Sequence, residues 1–75
     1  MSRENVPLNL EPHELRILQL SVMGYSIREI AEIMSKSEHT VRHYRKQMLQ
    51  RNDCNFNVII YRFVQMRNVN KDITL

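Results

Sequence analysis

The sequence predicts an all-α fold built from four helices. Its 75 residues include one glycine and two prolines, which are too few for the turn-rich composition of a small β domain. Apolar residues recur every three or four positions in four segments, which is the period of a helix with one buried face. Residues typical of helix caps and turns separate these segments. A chain of this length forms one domain with a small hydrophobic core.

The first helix is predicted over residues 12–23. Pro12 suits the first helical position because its fixed φ is helical, and the carboxylate of Glu14 suits the first turn. Gly24 is expected to end the helix in a left-handed conformation. The apolar surface is wide enough to contact neighbours on two sides. It consists of a main stripe, Leu15, Leu18 and Val22, with Ile17 and Leu20 beside it.

The second helix is predicted to begin after Ser26. Ser26 and Glu29 match the S-x-x-E capping box, in which each side chain accepts a hydrogen bond from the backbone N–H of the other residue. The expected core face consists of Ile27, Ile30, Ala31 and Met34. A short turn, Ser35-Lys36, then leads to the third helix.

The third helix is predicted over residues 38–51, capped by Ser37. Its core stripe is expected to be Val41, Tyr44 and Met48. The opposite face is cationic and rich in amides, with His39, Arg42, His43, Lys46, Gln47 and Gln50. Two short helices joined by a tight turn, the second with a basic outer face, are typical of proteins that insert a helix into the DNA major groove.

The fourth helix is predicted over residues 57–69, with Asn55 or Asn57 as its cap. Its apolar arc is wide, so the helix is either buried on most sides or half of an oligomer interface. We favour the interface in so small a protein. The residues predicted to form a homodimer interface are Ile59, Ile60, Phe63, Val64 and Arg67.

These elements define the predicted domain organisation, and the charges are divided unevenly across it. Residues 1–9 are expected to form a flexible arm, residues 10–69 the helical domain and residues 70–75 a tail. Residues 1–34 have a net charge of −2 and residues 35–75 a net charge of +5. Such asymmetry indicates a polyanionic partner on one side of the fold. On charge alone, a solvated surface is the simpler interpretation.

From Leu10 to Tyr61, the sequence resembles the LuxR/GerE family of helix-turn-helix proteins. The segments that carry the resemblance are Leu10-x-Pro12-x-Glu14, Gly24-Tyr25-Ser26-x-x-Glu29-Ile30-Ala31 and Ser37-Glu38-x-Thr40-Val41-Arg42. They are similar to the family patterns L-T-P-x-E, G-x-S-x-x-E-I-A and S-x-x-T-V-K/R. Glu11 stands where the family usually has Thr, which implies a weaker cap on the first helix. Asn52-Asp53 replaces the family's usual Leu-Gly.

The resemblance implies a sequence-specific regulator of transcription that binds double-stranded DNA, with the third helix in the major groove and the fourth helix in a homodimer. By position, the residues implied to contact base edges are Arg42, His43 and Lys46. Those implied to contact phosphates are Lys36, Ser37, His39, Thr40 and Arg45. Arg42 is suited to guanine because its guanidinium can donate to O6 and N7 together.

Two other functions remain open. One is a module like region 4 of a σ factor, which shares the helix-turn-helix pattern and binds RNA polymerase. The other is an anti-regulator or protein-interaction module that binds a partner regulator through its fourth helix. DNA binding and oligomeric state would distinguish these hypotheses.

The remaining chemistry of the sequence argues against several other classes. We expect no enzyme, because no nucleophile elbow, phosphate-binding glycine loop or carboxylate pair is present. His39 and His43 have helical spacing for a metal, but no further ligand is close in sequence, so we predict no metal and no cofactor. The single cysteine, Cys54, suits a reducing cytoplasm. No apolar run reaches 18 residues, so we predict no membrane partner.

Overall fold

Four α-helices make up the computed structural model, which describes residues 8–74 and the side chains of residues 8–67. The helices are α1 (Pro12–Val22), α2 (Ile27–Met34), α3 (Glu38–Arg51) and α4 (Phe56–Thr74). No strand occurs between residues 8 and 74. The predicted all-α, four-helix fold is therefore confirmed. Residues 1–7, most of the predicted arm, lie outside the described part of the chain.

Capping side chains fix where the helices begin. The hydroxyl of Ser26 accepts from the N–H of Glu29 at 3.2 Å, and the Glu29 carboxylate accepts from the N–H of Ser26 at 2.8 Å. These bonds lower the pKa of Glu29, because they favour its ionised form. Ser37 caps α3 by accepting from the N–H of Thr40 at 3.0 Å. Both predicted caps are confirmed.

Two residues with positive φ separate α1, α2 and α3. Gly24 has φ 97°, as predicted for the end of α1, where a residue with a side chain would be strained. Ser35 ends α2 in the left-handed region at φ 57°, and its N–H bonds back to the Glu32 carbonyl. This compact turn brings α3 back against α2, since Lys36 also donates its N–H to the carbonyl of Ala31 at 2.9 Å.

The fourth helix differs from its prediction at both ends. The side chain of Asn55 accepts from the N–H of Val58 at 2.9 Å, so Asn55 is the cap and α4 begins at Phe56. The helix then continues to Thr74, past the predicted end at residue 69 and into the predicted tail. Residues 65–74 contain no glycine or proline to stop it.

The core consists of two clusters that share α1. The first lies between α1, α2 and α3 and contains Ile17, Leu20, Ile30, Ala31 and Val41. The second joins α1, α3 and α4 and contains Leu18, Met48, Ile59 and Phe63. The expected packing of α1 on two sides is confirmed. The prediction was wrong for Leu15, which is 38% exposed because it lies outside both clusters.

An ion pair fixes the C-terminal end of α3 against α1. Glu14 is fully buried, and its Oε1 accepts from Arg51 Nη1 and from the N–H of Glu11. The hydrogen bond from Arg51 to the Glu14 carboxylate raises the pKa of Arg51. Next to it, Asn52 exchanges two hydrogen bonds with the backbone of Asn9, at 2.7 and 3.0 Å. These contacts hold the end of the helix opposite to the end that Ser37 caps.

Candidate nucleic-acid interface

The two faces of α3 have opposite characters. Val41 and Met48 are completely buried, and Tyr44 is half-buried against the His13 ring at a centroid distance of 4.2 Å. The predicted cationic and amide-rich stripe is exposed along its whole length, and it consists of His39, Arg42, His43, Lys46, Gln47 and Gln50. The three residues predicted to contact bases are therefore all on the solvent side of the helix.

Four of the five residues predicted to contact phosphates lie around the start of α3, and the fifth, Arg45, is half-buried in the middle of the helix. Lys36, Ser37 and His39 are exposed, and Thr40 is half-buried. The hydroxyl of Ser37 donates to Thr40 Oγ1 at 2.9 Å while it accepts from the N–H of Thr40. The N-terminal end of a helix favours anions through its dipole and its unpaired N–H groups. This end of α3 thus combines a basic side chain, hydroxyl groups and a favourable dipole.

Arg42 and Arg45 each have an intramolecular contact that the sequence analysis did not predict. Nη2 of Arg42 lies 3.3 Å from Oε1 of Glu38, one turn earlier on the same helix, and both side chains are about half exposed. The guanidinium of Arg45 lies over the Phe56 ring, 5.1 Å from its centroid. A cation over a ring face is stabilised by the ring quadrupole. Arg45 therefore links α3 to the first turn of α4.

An open groove of about 540 Å³ runs along one flank of α3, between that helix and the residues that lead into α4. Arg42, Arg45 and Lys46 are among its lining residues, together with Gln50 and the half-buried Cys54. Sequence reasoning missed this groove because its second wall depends on where Asn55 starts α4. The groove extends the cationic surface sideways from the α3 stripe.

The predicted dimer-interface residues divide into two groups. Ile59 and Phe63 are 0% and 5% exposed, because α4 closes the second core cluster over Leu18 and Met48. They were wrongly assigned to a face that a second copy could contact. Ile60 and Val64 are half-buried, and Arg67 is exposed with its guanidinium 5.8 Å from the centroid of the Phe63 ring.

Other apolar side chains of α4 face solvent instead. Tyr61 is 63% exposed, Met66 49% and Val58 42%. The sequence pattern did not separate these residues from the buried ones because the apolar arc of α4 covers most of its circumference. Within residues 8–67, the exposed apolar surface of α4 is therefore centred on Tyr61.

Across the described residues, no three His, Cys, Asp or Glu side chains are close enough together to hold a metal ion. Among the helices that the structure describes, none combines the length and apolar character needed to span a membrane.

Comparison with known proteins identifies the family. The model of a family described as "Bacterial regulatory proteins, luxR family" matches residues 8–63, most of the 75-residue chain. The searches of curated proteins and of solved structures each found no significant match. The four helices and the match together define a helix-turn-helix protein of the DNA-binding regulatory class. The chain belongs to the LuxR family of bacterial regulatory proteins.

Proposed function

We propose that this protein regulates transcription by binding specific double-stranded DNA sequences with α3 in the major groove. The observation that carries the proposal is the exposed stripe of cationic and amide side chains on α3. That helix is held from behind by a buried core face and at its far end by the Glu14–Arg51 pair. A rigid helix with a polar, cationic outer face fits the width and charge of the major groove.

Arg42, His43 and Lys46 are the proposed base contacts. The guanidinium of Arg42 can donate two parallel hydrogen bonds to O6 and N7 of guanine. Lys46 lies one turn further along the same face and offers a less directional donor to a neighbouring guanine. His43 is exposed beside them and can contact a purine edge through either ring nitrogen.

The proposed phosphate contacts surround these three residues. Lys36, Ser37, His39 and Thr40 lie around the start of α3, and Arg45 lies on its groove side. Neutralised phosphates release counterions, so the affinity for any DNA should fall steeply as salt is raised. Because DNA is the proposed partner, the cytoplasm is the proposed site of action.

We also propose that the protein acts as a homodimer through α4. The supporting observation is the apolar surface formed by Tyr61, Met66 and Val58, with the half-buried Ile60 and Val64 beside it. A two-fold dimer of this kind places two α3 helices on neighbouring half-sites. RNA polymerase or another regulator could instead occupy this surface, as the σ-like and anti-regulator hypotheses require.

DNA binding is tested by mobility shift with a random-sequence duplex and with a duplex selected from a random pool. Arg42→Ala combined with Lys46→Ala should abolish the preference for the selected duplex while helicity by circular dichroism stays unchanged. Arg16→Ala combined with Arg28→Ala also removes two positive charges, but from exposed positions on α1 and α2, and should leave the preference intact. An equal loss of this preference in both double variants would contradict the assignment of α3 as the helix that contacts the bases.

Dimer formation is tested by light scattering. Tyr61→Asp places a charge in the centre of the exposed apolar surface and should shift the mass toward that of one chain. Gln19→Asp introduces the same charge at an exposed polar position of α1 and should change the mass less. A wild-type protein with the mass of a single chain, at concentrations where DNA is bound, would rule out the α4 dimer.

A further inference from the structure

We propose that Glu38 sets the sequence discrimination of the DNA surface by positioning Arg42. This inference rests on the proposed contact of Arg42 with a base edge and deepens it. Glu38 itself is not among the proposed DNA contacts. Its role is to hold the guanidinium of Arg42 toward the base edges and away from the phosphate backbone.

The geometry places the Glu38 carboxylate beside the guanidinium of Arg42. Oε1 of Glu38 lies 3.3 Å from Nη2 of Arg42, and the residues are four positions apart on one side of α3. An acidic residue one turn before a basic one is the favourable order on a helix. Glu38 is in the first turn, where the helix dipole also favours a negative charge. The ion pair with Arg42 and the helix dipole therefore both favour this position of the carboxylate.

Capping does not explain this carboxylate. Ser37 already caps α3 through its hydroxyl, which bonds to the N–H and the side chain of Thr40. Glu38 is the one acidic residue of α3, and it lies beside the exposed cationic stripe of that helix. A negative charge at that position opposes the binding of every DNA sequence equally. Arg42, its ion-pair partner, is the proposed base contact through which Glu38 can act on discrimination.

The chemistry of the guanidinium supplies that effect. Arginine has five N–H donors, so one contact at Nη2 leaves enough donors for a bidentate bond to guanine. A free Arg42 could instead swing to a phosphate, a contact that carries no sequence information. The Glu38 carboxylate competes with the phosphates for the guanidinium. Since both side chains are about half exposed, the pair is weak enough to rearrange when a base edge becomes available.

An exposed ion pair on α2 provides a matched control. Arg28 and Glu32 on α2 have the same spacing, with Nε and Oε1 3.7 Å apart, and both side chains are mostly exposed. Glu38→Gln and Glu32→Gln each remove one negative charge from such a pair. They change the net charge equally, but only Glu38→Gln acts on an α3 arginine.

The experiment measures Kd by fluorescence anisotropy for the selected duplex, for each single base-pair change within it, and for a random duplex. Glu38→Gln should strengthen binding to the random duplex by about two- to fivefold, the range expected for one exposed ion pair. It should also reduce the penalty for changing one particular base pair. Arg42→Ala should lose the penalty at that same base pair, and adding Glu38→Gln to it should change that penalty no further.

The outcomes distinguish a failure of the proposed function from a failure of the role of Glu38. A wild-type protein that does not distinguish the selected from the random duplex refutes the proposed function itself. If the wild type does distinguish them, three results overturn the role of Glu38 alone. In the first, Glu38→Gln and Glu32→Gln change the penalty for the altered base pair by the same amount. In the second, Glu38→Gln weakens discrimination evenly at all base pairs. In the third, Glu38→Gln still changes the penalty at that base pair when Arg42 has already been replaced by Ala.

Discussion

The two ends of α3 are held by different kinds of contact. At the C-terminal end, the fully buried Glu14 pairs with Arg51, and Asn52 bonds to the backbone of Asn9. At the N-terminal end, the contacts are a hydroxyl cap by Ser37 and an exposed ion pair. The buried end fixes the position of the helix in the domain. The exposed end leaves polar and charged groups at the surface of the domain.

We infer that the stability of the domain depends mainly on the C-terminal end of α3, and we propose that DNA binding depends mainly on the N-terminal end and the exposed stripe that follows it. Buried charges are costly to separate, so a change near Glu14 should act mainly on folding. Exposed groups contribute little to folding, so a change near Ser37 should act mainly on binding. Variants at the two ends can therefore be compared directly for these two properties.

Glu14→Ala is expected to have the largest effect on stability. It removes the acceptor of bonds from Arg51 and from the N–H of Glu11, and bonds of this charged kind contribute about 1.5–3 kcal/mol each. Because Arg51 is partly exposed and water can solvate it after the change, we expect less than the sum of the two bonds, a fall in the free energy of unfolding in urea of about 2–3 kcal/mol. Glu32→Ala, at an exposed acidic position, should change it by less than about 0.5 kcal/mol.

A loss of stability in Glu14→Ala no larger than in Glu32→Ala would contradict the structural role of the buried pair. At a temperature where Glu14→Ala remains folded, its affinity for the selected duplex should be close to that of the wild type. A large loss of affinity with intact folding would instead mean that the two ends of α3 are not separate in function.

Ser37→Ala is expected to show the opposite balance. Loss of an N-terminal cap lowers the free energy of unfolding by about 1 kcal/mol, which is less than the change expected for Glu14→Ala. Its loss of affinity for DNA should be greater than that of Glu14→Ala, because Ser37 is a proposed phosphate contact at the exposed end. Urea unfolding and anisotropy on the same samples measure both quantities.

Ser26→Ala provides the control for this second prediction. It removes the equivalent cap of α2, where Ser26 accepts from the N–H of Glu29, and should cost a similar amount of stability. Its affinity for DNA should change less than that of Ser37→Ala. Equal losses of affinity would show that capping in general, rather than the start of α3, controls binding.

The parts of the fold that sequence predicts well are those set by neighbouring residues. The caps at Ser26 and Ser37 and the break at Gly24 depend on residues three or four positions apart, so the pattern determines them. The exposed stripe of α3 follows from helical periodicity in the same way. These local features placed all three proposed base contacts on one solvent-facing surface.

The parts that the sequence did not predict depend on residues far apart in the chain. Glu14 fits the first turn of a helix equally well whether it is exposed or buried, and its partner Arg51 lies 37 positions away. The assignment of Ile59 and Phe63 to the core required knowing that α4 packs over Leu18 and Met48. Periodicity could not decide this, because apolar residues surround most of α4.

We propose above all that the exposed stripe of α3 is the DNA-binding surface. The most direct test is an NMR titration of the uniformly labelled protein with the selected duplex, which follows every backbone amide. We expect the largest shifts at residues 36–46, together with the side-chain resonances of Arg42 and Lys46. Shifts confined to α1 or α4, with residues 36–46 unchanged while the duplex is bound, would contradict the claim.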